Sequence, residues 1–269
     1  MAKPFLKWAG GKTQLMEEIL SRRPTTYSRY IEPMVGAGAV FFAIPLEAPS
    51  IISDINSELI NAYLQVRDNP EPVIQELRSL QQDAASYYLT RSAERSDEFN
   101  LWSAPKKAAR TIYLNKLGYN GLYRVNKTGF FNVPFGKRTG VDFDNENIRA
   151  ASAALQNCEI LNINYREIKD RIGQDDWVYL DPPYLPINES SNFTKYTPGG
   201  FSLEDHRELK KFYDELTMQG TKVLMSNSHS EEVIRMYSEY NISIVFAKRS
   251  INSKGHRRGR VPEVLIANY

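Results

Sequence analysis

At 269 residues the chain can bury a large core, either as one α/β domain with an insertion or as two small domains. One cysteine excludes an intramolecular disulfide framework, and the opening Met1-Ala2-Lys3-Pro4-Phe5 lacks the apolar core of a signal peptide. No run approaches the ~20 residues that span a bilayer, so a reducing cytoplasm and no membrane partner are expected, and a formal net charge of +2 leaves only its distribution to speak about nucleic acid.

The first motif is Lys7-Trp8-Ala9-Gly10-Gly11-Lys12-Thr13. It ends like a P-loop, but the first glycine of that motif would fall at Leu6 and no strand leads in. The glycines instead let backbone lie close to a ligand, with Trp8 as a stacking surface and Lys12 as the partner of a carboxylate. Next, Tyr30-Ile31-Glu32-Pro33 reads as a short strand, Val35 to Phe42 as a glycine turn opening a helix, and Ser50 to Asp54 as a strand ending on a carboxylate. Gly36-x-Gly38 followed by Asp54 is a minimal nucleotide-cofactor pattern, with the acid near the roughly 20-residue spacing expected of a ribose-binding carboxylate.

The period then turns helical. Leu59, Ile60, Tyr63 and Leu64 line one helix that Pro70 stops, and further helices run to about Gly118. Within this insert, Ala104 to Gly140 carries eight Lys or Arg residues and no acid: Lys106, Lys107, Arg110, Lys116, Arg124, Lys127, Lys137 and Arg138. A second acid-free cluster, Lys248, Arg249, Lys254, Arg257, Arg258 and Arg260, also holds His256. Two such stretches in a near-neutral chain suggest two walls of a polyanion groove.

Strand-helix alternation resumes near Asn145, with a helix through Ile148 and Leu155 and a strand at Cys158 to Leu161. The apolar run Trp177-Val178-Tyr179-Leu180 ends on Asp181-Pro182-Pro183-Tyr184, where ligands of open α/β sheets bind. Ser202 to Gly220 is a helix with Ser202 and Asp205 as its capping box, and strands follow at Thr221 to Ser226, Ile242 to Phe246 and Val261 to Asn268. The last two flank the second basic cluster and read as an antiparallel hairpin.

Asp181 to Tyr184 resembles the Asp-Pro-Pro-Tyr signature of amino-group methyltransferases, which use S-adenosylmethionine. An exocyclic amino group is a poor nucleophile because its lone pair is delocalised into the ring. Asp181 and the carbonyl of Pro182 would accept its two hydrogens, and Tyr184 would offer a face for the base, a stack of roughly 1–3 kcal/mol. Such a transfer needs no covalent intermediate. Carbon methylation of cytosine uses a cysteine in a Pro-Cys pair, whereas the single cysteine, Cys158, follows Asn157. Phe41 stands where the third glycine of a dinucleotide fingerprint would be, which favours S-adenosylmethionine over NAD.

Phe5 to Lys12, Glu32 to Gly38, Asp54 to Ser57 and Asp181 to Tyr184 also occur in the order found in the DNA adenine methyltransferase (Dam) family, and the resemblance covers nearly the whole chain. It implies a doubly wound, Rossmann-like methyltransferase sheet, α/β in class, with a C-terminal antiparallel hairpin and a mainly helical target-recognition insert. The expected division is a catalytic domain over residues 1–56 and 145–269 and a DNA-binding insert over 57–144. Trp8, Lys12, Glu32, Gly36, Gly38, Asp54, Tyr165 and Asp181 would form the cofactor site, Tyr165 near the cofactor's adenine; no metal is implied. Leu117 to Asn126 and Gly129 to Gly136 are similar to the family's recognition hairpin, read as a glycine-hinged loop with aromatics and an arginine. Arg124 would pair with guanine, Tyr119 and Asn120 would enter the duplex beside a flipped adenine, and Leu122 and Pro134 would touch a thymine methyl. Lys7 adds a guanine contact, Asn126 belongs to the same DNA-facing set, and Lys116 and Lys137 serve phosphates.

The resulting expectation is methylation of adenine N6 in double-stranded DNA at GATC, by a monomer, alone or beside a restriction endonuclease acting on the same site. The alternatives are cytosine N4 or RNA as acceptor, or a DNA-binding protein without catalysis.

Overall fold

The computed structural model describes residues 2–45, 47–185, 201–248 and 260–269. A seven-stranded sheet has the order β3-β2-β1-β4-β5-β7-β6, with β1 Tyr30–Glu32, β2 Ser50–Ser53, β3 Cys158–Leu161, β4 Trp177–Leu180, β5 Lys222–Ser228, β6 Asn241–Lys248 and β7 Arg260–Ala267. Strands β1 to β5 are parallel, while β7 lies between β5 and β6 and runs antiparallel to both. The expected C-terminal antiparallel pair is therefore present, with Lys248 opposite Arg260. The rest of the second basic cluster falls outside the described residues.

The central strands are buried throughout, and side chains alternate between two cores as the pleat requires. Tyr30, Ile52, Trp177 and Tyr179 face one core; Ile31, Ile51, Val178 and Leu180 face the other. Helix α7, Leu203–Met218, covers the second face through Leu209, Phe212, Tyr213 and Leu216. Its capping box is formed by Ser202 and Asp205, and it stops at Gly220 with φ +88°.

Helices α2 Ser57–Asp68, α3 Pro70–Ser79, α4 Ala84–Ser92, α5 Ala104–Leu117 and α6 Asn145–Leu155 lie between β2 and β3. Their apolar faces, including Leu59, Tyr63, Ile112 and Leu155, join the first core, so the insert is continuous with the sheet's packing on that face. The helix expected after Gly38 is not formed. Residues 39–44 make hydrogen-bonded turns, with Phe42 N–H on Gly38 and Ile44 N–H on Val40, and Pro45 stops propagation by disfavouring the helical conformation of Ile44.

Strand order reverses between β1 and β4. In a doubly wound sheet that switch point opens a crevice beyond the strands' carboxyl ends, and Glu32, Gly36 and Asp181 all lie there.

Candidate active site and nucleic-acid interface

A cavity of about 590 Å³ occupies the switch point. Trp8 and Lys12 reach it from the N-terminal loop, Gly36 from the turn after β1, Asp54 from the end of β2, Tyr165 from beyond β3, and Asp181 to Tyr184 from the end of β4. Trp8 and Asp181, 173 residues apart, thus line one cavity, and of the expected cofactor residues Gly38 alone is not among its lining residues.

Asp181 has two side-chain partners. Its Oδ1 accepts from the Ser226 hydroxyl at 2.8 Å and is paired with Lys12 Nζ at 2.7 Å. Lys12 is 4 % exposed, and its ammonium also donates to the Gly10 carbonyl at 2.5 Å and lies 4.7 Å from the Tyr184 ring centre. Lys12, read as the partner of a ligand carboxylate, thus has an internal carboxylate as its partner. Tyr184 donates its phenolic hydrogen to Glu263 Oε2 at 2.6 Å, which fixes the ring against β7. Burial, reinforced by the nearby Asp181, raises the Tyr184 phenol well above its ordinary range, so it remains a donor. Pro182 is buried in the cavity wall.

Asp54 is partly buried and takes the Gly36 N–H at 3.2 Å and the Asn56 N–H at 2.9 Å. Burial raises its pKa and these amides oppose the shift. Glu32 accepts from Tyr30 Oη at 2.8 Å and the Phe41 N–H at 3.1 Å, and burial pushes it up to about 8. Gly36 and Gly38 have φ +49° and +68°. A Cβ would stand 2.9 Å from the Trp8 ring at the first and 2.7 Å from Tyr63 Oη at the second, so neither site tolerates a side chain without movement. Tyr165 packs edge-on against Phe212, and among the described residues no hydrogen bond reaches its buried hydroxyl.

The cavity therefore combines a stacking ring, a ribose-compatible carboxylate, a close backbone turn and an orphaned phenol. These fit S-adenosylmethionine, and the absence of a phosphate-cradling third glycine fits it as well. Cys158 takes no part: it is buried in β3, and burial pushes its thiol up to about 12.

Most residues expected to face DNA gather along one hairpin, while Lys116 lies in the last turn of α5 and Lys7 in the N-terminal loop. Bridges join Gly118 to Phe135 and Val125 to Phe131, and Asn132 N–H bonds the Arg124 carbonyl at 3.0 Å. Tyr119 is 54 % exposed, Asn120 sits at φ 57°, and Arg124, Pro134 and Lys137 are also exposed. Leu122 is half-buried. The Arg124 guanidinium meets Asn132, with Nε 2.6 Å from its Oδ1. Asn126 Oδ1 accepts from Thr128 N–H, Thr128 Oγ1 and Phe130 N–H, which folds the hairpin tip. Lys116 is half-buried, and burial lowers its pKa with help from Lys7.

Hairpin and cavity meet at the N-terminal loop. Trp8 stacks on Tyr123 at 4.9 Å with 25° between the rings. Buried Asn115 accepts the Lys7 N–H at 2.8 Å and donates to the Lys7 carbonyl at 2.7 Å and the Gly121 carbonyl at 3.2 Å. At Gly121, with φ +66°, a Cβ would stand 2.5 Å from the Lys7 stem. Sequence reasoning did not single out Ser226, Glu263, Tyr123 or Asn115 for these roles. A polar Ser226 ending the apolar Val223-Leu224-Met225 run was the available signal for the first.

The model of the family described as D12 class N6 adenine-specific DNA methyltransferase matches residues 8–251. The chain is 40 % identical over 291 residues to the Type II methyltransferase M.MjaIII of Methanocaldococcus jannaschii, covering 99 % of each chain. It is 38 % identical to the Type II methyltransferase M1.LlaDCHI of Lactococcus lactis subsp. cremoris, covering 99 % of this chain and 95 % of the other. The DNA adenine methylase of Escherichia coli K12 is 35 % identical, with coverages of 98 % and 94 %.

Proposed function

We propose, given that the chain belongs to the D12 class of N6 adenine-specific DNA methyltransferases, that it uses S-adenosylmethionine to methylate an adenine flipped out of duplex DNA, with GATC as its site. That it is a DNA adenine methyltransferase follows from the family and its relatives. The donor, the flipping and the tetranucleotide are our reading. The observation that carries it is the meeting, in one cavity, of Asp181 to Tyr184 with Trp8, Gly36 and Asp54.

In this reading Trp8, Gly36, Asp54 and Tyr165 hold S-adenosylmethionine, which supplies a methyl group on a positively charged sulfonium. Asp181 and the Pro182 carbonyl accept the two N–H hydrogens of the adenine amino group and hold its lone pair away from the ring. The Tyr184 ring, held by Glu263 and approached by Lys12, offers its open face to the base. Lys12 holds the Asp181 carboxylate in place through their ion pair. Because the transfer depends on orientation, a rigid wall is the useful contribution of the fold.

Tyr119 and Asn120 fill the gap left by the flipped base, and Arg124 reads the outer guanine once it leaves or shares Asn132. The substrate path needs one active site and one strand at a time, which suits a monomer acting alone or beside an endonuclease. Among the described residues no helix is long and apolar enough to cross a membrane.

Transfer of labelled methyl to duplexes with and without GATC, followed by nucleoside analysis, tests this. The expected product is N6-methyladenine only in the GATC duplex. N4-methylcytosine, or adenine methylation at a different tetranucleotide with GATC untouched, would overturn the corresponding part.

A further inference from the structure

The two oxygens of Asp181 have unequal surroundings. Oδ1 receives the Lys12 ammonium and the Ser226 hydroxyl, at 2.7 and 2.8 Å; among the described residues Oδ2 accepts no hydrogen bond. The hydroxyl of Ser226 has a single hydrogen, and it is given to Asp181. A Ser226 lone pair is filled in turn by the Tyr179 O–H at 3.0 Å. The direction of this chain follows from its end: Ser226 spends its one hydrogen on the Asp181 carboxyl oxygen, so towards Tyr179 it can only accept.

Strand register explains the meeting. Leu180 pairs with Met225 in parallel β4 and β5, so Asp181 stands beside Ser226, and Tyr179 points to the same face two residues earlier. Ser226 and Tyr179 are both 0 % exposed. A hydroxyl there contributes no binding surface to DNA.

We propose that Ser226, oriented by Tyr179, is a positioning residue for methyl transfer: it commits Asp181 Oδ1 to the protein and so presents Oδ2 alone to the amino group of the target base. With Oδ1 satisfied twice, the carboxylate plane cannot rotate to offer either oxygen. The inference rests on the reading of Asp181 as the amino-group acceptor.

The experiment compares the intact wild-type chain with Ser226→Ala, Ser226→Thr, Tyr179→Phe and Asp181→Ala. It measures single-turnover methylation of a duplex that the wild type modifies, cofactor and DNA Kd, and Tm. Since misplacement of a reacting group by an ångström can cost about 100-fold, Ser226→Ala should slow the methylation step about 10-fold or more and leave both Kd values within about twofold. Ser226→Thr keeps the hydroxyl and should recover most of the rate. Tyr179→Phe should fall between the two.

A wild-type rate for folded Ser226→Ala, or a loss seen only in Kd, would overturn the proposal. So would a folded Ser226→Thr as slow as the alanine variant. If Ser226→Ala does not fold, Tyr179→Phe decides, because a wild-type rate there shows that the chain of donors is dispensable. Activity retained by Asp181→Ala removes the acceptor reading itself, whereas a dead Asp181→Ala beside an unchanged Ser226→Ala removes only the role of Ser226.

Discussion

At the strand ends Asp181, Asp54 and Glu32 each accept two bonds from groups fixed in the sheet or its turns, and Lys12 is almost fully enclosed. Along the hairpin Tyr119, Asn120, Arg124, Pro134 and Lys137 stand in solvent, carried by a few main-chain bonds and two isolated bridges. The difference matches the roles proposed for the two regions. Methyl transfer gains from groups that need no rearrangement, so their geometry is stored in packed strands. Reading a duplex requires side chains that exchange one partner for another, and such residues belong on loops of low local stability.

The comparison breaks first at Asp181. Asp181→Ala should lower the methylation rate of the folded protein by at least roughly 100-fold, the scale for losing a preorganised polar group, with DNA Kd close to wild type and a lower Tm because the buried Lys12 ammonium loses its partner. Measurable turnover near the wild-type rate would show that the strand end is scaffolding only. Arg124→Ala should act in the opposite way, leaving the rate on the best site similar and reducing discrimination at one outer base pair by about 1–3 kcal/mol. The check is kcat/KM on duplexes altered at each outer position in turn. Lys137→Ala should weaken all sequences alike and reduce the salt slope by about 1. Lys116→Ala should do the same to a smaller extent, because Lys116 is half-buried on α5 and Lys137 is exposed.

Two smaller effects sharpen the boundary between the regions. Tyr123→Ala removes the stack on Trp8 and should weaken cofactor binding by about 0.5–1.5 kcal/mol, although Tyr123 lies in the hairpin. Tyr119→Ala should leave cofactor Kd unchanged; equal losses from both would mean that Trp8 is not the link. The last effect concerns pH and reads stability alone. Glu32 holds its proton up to about 8 in the folded chain against 4.5 unfolded, so the native state binds the extra proton between those values. The stability this supplies is full below pH 4.5 and is lost as pH rises towards 8. Glu32→Gln removes that slope, so its Tm should gain on the wild type from pH 5 to 8. A constant difference would refute the raised pKa.

Much of this was legible in sequence because it is local. The capping box at Ser202 and Asp205, the carboxylates closing β2 and β4, and the acid-free hairpin each depend on neighbours a few residues away. The turns after Gly38 misled because a glycine entry signals a helix, whereas Pro45 stops it within two turns. Ser226 and Glu263 reach the site through strand register and through the insertion of β7 between β5 and β6, which no local pattern encodes. The partnership of Lys12 with Asp181 is likewise tertiary, made across 169 residues.

Gly121 sets a limit on redesign. Its φ of +66° and the Lys7 methylenes at the place of a missing Cβ admit no larger residue, and Asn115 holds its carbonyl from below. Libraries aimed at new recognition sites can therefore vary the exposed Tyr119, Arg124 and Pro134, but they must keep Gly121 and Asn115. Changing that hinge would alter the cofactor loop through Lys7 and Trp8 and confound altered specificity with lost activity.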